Sequence, residues 1–134
     1  MIKSVHDNFI VSYEVKCEGR EIRMETEYRD RGDPFERTTI VFGSVEAYDF
    51  KHDCLGNIIF DLEEVTAESI LEARLADFQE GHRLSGWPRF WRHSLDEVRR
   101  YLSENGVRGY ELSTSYGMSG WVLAREMEMI QTPR

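Results

Sequence analysis

Cysteine is nearly absent from this 134-residue chain, with Cys17 and Cys54 the only two. Two thiols make no disulfide framework, and their spacing matches no zinc site, so the expectation is reduced thiols and no metal. The four histidines, His6, His52, His82 and His93, are likewise unpaired in sequence. Long hydrophobic runs are also missing: a membrane helix needs about 20 apolar residues, and the strongest cluster, Ile58-Ile59-Phe60, is closed by Asp61. The start, Met1 to Asp7, lacks the apolar core of a signal peptide, which points to a cytoplasmic protein. No Walker A, Gly-x-Gly-x-x-Gly, Gly-x-Ser-x-Gly or His-Glu-x-x-His pattern occurs, so neither a cofactor nor a catalytic residue is assigned.

Positive charge is in short supply. Seventeen Lys and Arg face 25 Asp and Glu, a net charge of −8, which disfavours the phosphate-tracking surface of a nucleic-acid binder. The imbalance is local. Residues 1–80 carry nine basic and nineteen acidic side chains, whereas residues 81–134 carry eight and six. The acidic part is a candidate surface for a basic protein partner.

What is present suits one packed domain spanning residues 1–134. Hydrophobic residues make up 40% of the chain and aromatics 12%, enough for a core without staples at this length. From Phe9 to Cys17 and again from Ile22 to Tyr28, apolar and charged residues alternate around Glu18-Gly19-Arg20, the pattern of a hairpin. Thr38–Phe42, Val45–Phe50 and Asn57–Leu62 read as three further strands, divided by Gly43-Ser44 and by Asp53 to Gly56. Thr66 is a good N-cap for a helix carrying Ala67, Ile70, Leu71, Leu75 and Phe78 on one stripe, with Gly81 as its stop. Ser94-Leu95-Asp96-Glu97 has the capping-box pattern for a second helix that ends at Asn105-Gly106. Tyr110 to Ser113 and Trp121 to Met129 return to strand character. The expected fold is α+β: a mainly antiparallel sheet built from a five-strand meander and a C-terminal hairpin, with two helices packed on one face.

Candidate sites follow from charge and aromatics. Asp49, Asp53, Asp61, Glu63 and Glu64 lie around two predicted strand ends and form a candidate partner-binding patch. A plainer alternative places Glu63 and Glu64 just before a helix N-terminus, where negative charge is favourable. Asp49 to Cys54 also brings a carboxylate, an imidazole and a thiol close in sequence, but neighbours on a strand point to opposite faces. The segment from His82 to His93 mixes Trp87, Phe90 and Trp91 with three arginines. Such residues are favoured at binding hot spots, and they equally fill small cores.

The run Val45-Glu46-Ala47-Tyr48, the stretch Ile59 to Val65, Gly86-Trp87-Pro88 and Tyr110 to Gly117 together resemble a family of small bacterial proteins, similar in style to the immunity proteins of toxin systems. That resemblance implies a stoichiometric inhibitor and carries no functional residue with it. The leading expectation is a non-catalytic protein-binding module that engages a basic protein. The alternative is a small-molecule binder or enzyme whose pocket, between sheet and helices, is lined by Trp87, Trp91, Tyr110 and Trp121 with His52 or Arg89 as polar groups.

Overall fold

A computed structural model of the chain describes residues 4–132. Six antiparallel strands close into a barrel in the order β1-β2-β3-β6-β5-β4. In chain order they are β1 (Phe9–Lys16), β2 (Glu21–Tyr28), β3 (Glu36–Lys51), β4 (Asn57–Thr66), β5 (Arg108–Tyr116) and β6 (Ser119–Thr132). Three helices, α1 (Ala67–Ala73), α2 (Leu75–Ser85) and α3 (Leu95–Glu104), lie between β4 and β5. The fold is therefore α+β with one antiparallel sheet, as the sequence pattern leads one to expect. No helix among the described residues is long and apolar enough to cross a membrane.

Two finer expectations change. Thr38–Phe42 and Val45–Phe50 belong to one strand, β3, because Gly43-Ser44 does not turn the chain back. It marks the place where β3 leaves β2, with Ile22 opposite Phe42 as the last pair, and carries on along β6 through an irregularity between Val45 and Ala47. The Val45 amide bonds instead to the carbonyl of Arg20 in the β1–β2 turn. The expected five-strand meander is therefore three strands, β1-β2-β3; β4 does not pair with β3 but with β1 and β5, and the barrel has six strands. The first helix in turn divides at Arg74 into α1 and α2, and it does not stop at Gly81. The backbone bonds Arg74 to Ile70 and Phe78 to Arg74 are both kept across the division. Gly86, in the left-handed region, ends α2. Gly81 sits inside α2 because the Trp87 ring packs over it, leaving no room for a Cβ.

Two cores result, separated by the sheet. Inside the barrel, Ile10, Ile22, Met24, Ile40, Phe42, Ile59, Tyr110, Leu112 and Val122 fill the space. Outside it, Ala47, Trp121 and Leu123 meet Ile70, Leu71, Phe78, Phe90, Val98 and Leu102 of the helical layer. Phe78 is the hub of that layer. Its ring stacks on Trp87 at 5.3 Å and Trp91 at 5.7 Å, and tilts against Trp121 at 5.2 Å. Aromatic pairs of this kind add about 0.5–1.5 kcal/mol each beyond burial. The caps form as the sequence indicates: Thr66 Oγ1 accepts from Ser69 N, and Ser94 Oγ accepts from Glu97 N.

Candidate functional site

Strand pairing assembles a row of side chains across the outer face of the barrel. Asp49 on β3 faces Trp121 on β6, Trp121 faces Glu111 on β5, and Glu111 faces Glu63 on β4. Trp121 lies under the helices, so the whole row shares that outer face. With strands about 4.8 Å apart, three steps carry it over about 14 Å. Asp61, opposite Ser113, adds a carboxylate one position along. Asp49 is paired with Lys51 at 3.5 Å. Among the described residues no cation pairs with Asp61, Glu63 or Glu111, and like charges directly opposite on adjacent strands repel.

Along the Asp49–Trp121–Glu111 part of this row, under the start of α2, the sheet and helices frame a cleft of about 300 Å³. Arg74 and Asp77 enter from the helical side, while Asp49, Lys51, His52, Glu111, Ser113 and Ser119 enter from the strands and loop, with Trp121 as the apolar wall. Among the described residues, Arg74 and Asp77 have no ion-pair partner. Three carboxylates, two cations, an imidazole and two hydroxyls thus converge on one concavity. This site can hold a cationic group against the carboxylates by charge-assisted hydrogen bonds.

The five acidic residues singled out by sequence are placed in three settings. Asp49, Asp61 and Glu63 share the outer face. Glu64 pairs with Arg108 at 3.4 Å and points to the other side of β4, opposite Tyr110. Asp53 lies in the β3–β4 loop, where its carboxylate accepts from Asn57 Nδ2 at 2.9 Å, from the Leu55 amide at 2.8 Å and from the Tyr13 hydroxyl at 3.0 Å. The Asn57 amide, followed by the Leu55 N–H, holds the Asp53 carboxyl below the usual carboxylate range. Asp53 organises a loop: the same Asn57 accepts from the amides of Cys54 and Met118, tying it to the β5–β6 turn.

The six residues of the alternative pocket are dispersed. His52 and Trp121 line the cleft under α2. Trp87 and Arg89 line a different one, of about 260 Å³, where β3 leaves β2. Trp91 stacks on Phe78 in the helical layer. Tyr110 is buried inside the barrel, edge-on to Phe42 at 5.4 Å, and burial pushes its hydroxyl above the usual tyrosine range.

Sequence reading passes over Glu111 and Asp77. Glu111 alternates with the buried Tyr110 and Leu112, so its outward direction is present in the pattern. That β5 lies between β4 and β6 is a long-range fact with no local signal, and it alone makes Glu111 the link between Glu63 and Asp49. Asp77 lies on the same helix as the buried Phe78, and the phase of that stripe leaves it outward at the turn nearest the sheet. No protein-family model, no curated protein and no solved structure matches this chain.

Proposed function

We propose that this chain is a non-catalytic binding module that takes up a basic surface of another protein on the part of the outer barrel face that the helices leave uncovered, around Asp61 and Glu63 of β4 and Glu111 of β5. The observation that carries the reading is the Glu63–Glu111 pair: two carboxylates directly opposite on adjacent strands, without a cation partner among the described residues. A like-charge cross-strand pair costs stability, about 0.2–1 kcal/mol. A cationic partner turns that repulsion into attraction, and Asp61 and Asp77 widen the field that steers it. The filled barrel supports the same reading, because the concave polar ground lies outside it. A stoichiometric inhibitor of the immunity type, which the sequence resemblance implies, is the form of this function we favour.

The experiment combines stability with binding kinetics. Glu63→Gln is expected to raise stability slightly, by about 0.2–1 kcal/mol, while Asp61→Lys with Glu63→Lys slows association with the basic partner recovered from the native cells. The wild-type association rate falls as salt rises, and the doubly reversed variant shows a flatter dependence. Equal association rates for wild type and the reversed variant would sink the reading.

A second reading, a small-molecule site under α2, has one specific observation in its favour: Arg74, Asp77 and His52 converge with the Ser113 and Ser119 hydroxyls in the 300 Å³ cleft. A metabolite copurifying in one-to-one ratio, displaced by Asp77→Ala, would favour it over the protein partner.

A further inference from the structure

The cleft formed where β3 leaves β2 differs in chemistry from the acidic face. Its volume is about 260 Å³, and the tip of the β1–β2 hairpin, the Val45–Tyr48 part of β3 and the Trp87–Arg89 turn enclose it. Val15 and Val45 give it apolar walls, and Trp87 and Tyr48 present half-buried and exposed rings to it. Three cations line it. Lys16 is engaged with Glu21 at 3.7 Å, and Arg20 with the buried Glu46, which Arg125 also approaches at 3.4 Å. Arg89 has no carboxylate partner among the described residues, and its side chain is exposed at the rim. A chain of net charge −8 repels anions at long range, so an anion site must be built from local cations. Here both lining carboxylates already have cations of their own, and one guanidinium beside an aromatic wall is left over.

We propose that this cleft binds a small organic acid, a carboxylate on an apolar body of one ring or a short branched chain. Arg89 holds the carboxylate through its planar fork of N–H donors, and Trp87 and Tyr48 enclose the body. The site shares no residue with the acidic face and stands or falls independently of the protein-binding reading. Its size sits just below the usual range for drug-sized ligands, which limits the occupant to a single ring or its aliphatic equivalent.

The test titrates the 134-residue protein, labelled with ¹⁵N, with 3-phenylpropanoate while the Trp87 indole N–H is followed. Two comparators separate the parts of the claim: 3-phenylpropanol has the body without the charge, and inorganic phosphate has the charge without the body. The expected result is a saturable shift of the Trp87 signal by the acid, with affinity about tenfold or more above either comparator, the size of one charge-assisted hydrogen bond. Arg89→Gln removes the advantage of the acid over the alcohol and leaves the melting temperature unchanged. Absence of a saturable shift, equal binding of acid and alcohol by wild type, phosphate binding as tightly as the acid, or an acid preference that survives Arg89→Gln would each overturn the proposal.

Discussion

The hydroxyl of Tyr101 on α3 donates to the Glu46 carboxylate on β3 at 2.7 Å, joining positions 55 residues apart in sequence. Glu46 is buried against the outer barrel wall, and Arg20 and Arg125 pair with it from two other elements. The interaction is a pin between helix and sheet, with a buried charge as its anchor. Tyr101→Phe keeps the ring, which stacks on Phe90 at 5.8 Å, and removes only the donor. Both arginines remain to compensate the carboxylate. The expected cost is about 1.5–3 kcal/mol, the range for a hydrogen bond to a charged group. Urea midpoints at unchanged slope measure it, and a shift within error would reject the pin.

Gly81 reverses the usual rule for a glycine inside a helix. Replacing such a glycine by alanine normally gains about 1 kcal/mol. Here the added Cβ would overlap the Trp87 ring, which itself stacks on Phe78. Gly81→Ala is therefore expected to lower stability by about 1–3 kcal/mol through overpacking. A thermal melt followed in the aromatic circular-dichroism bands reads both the loss and the displaced ring; a higher melting temperature would contradict the packing.

Glu27 ties acid sensitivity to one strand. The Arg29 guanidinium donates to it at 2.8 Å and Arg37 pairs with it at 3.0 Å, and the hydrogen bond from Arg29 is the main cause that holds its carboxyl below the usual value. A carboxyl lowered in the folded state stabilises above its unfolded value, about pH 4.3, and loses that contribution as pH falls through its folded value. Wild type should exceed Glu27→Gln in stability at pH 7, and the gap should close as the pH drops below that range. Parallel stability curves across the same pH interval would show that the ion pairs contribute nothing.

The local pattern carried much of this architecture. Period-two alternation marks β2 well, with Ile22, Met24 and Thr26 buried and Arg23 and Glu25 on the opposite face. On β1 the pattern fails at one residue. The register shifts between Ile10 and Ser12, so Val11 is exposed, Ile10 faces inward, and Tyr13 and Val15 resume the inner face opposite Met24 and Ile22. A bulge of this kind resets the phase without any turn residue to announce it. Gly43-Ser44 and Gly81 mislead in the opposite sense, since each is a breaker whose local preference is overridden by tertiary contacts, at Arg20 and Trp87 respectively. For the site, the outward carboxylates of β3 and β4 were readable one strand at a time. Their union into one row depends on β5 and β6 returning between those strands after three helices, and no local spacing encodes that return.

Barrel closure rests on a short seam. β1 and β4 pair only at Phe9 with Ile58 and Ile10 with Asn57, supplemented by backbone bonds between Ile59 and the Asp7–Asn8 segment, whereas every other seam runs longer. The least costly sub-global opening is then a gate: the β1–β2 hairpin swings out while β3, β6, β5 and β4 stay folded beneath the helices. Native-state hydrogen exchange should release the amides of Asp7 and Ile59 ahead of those of β5 and β6. The acidic row would ride on the persistent half of the molecule, and the Arg89 cleft would straddle the hinge, so an occupant there would latch the gate and slow that exchange.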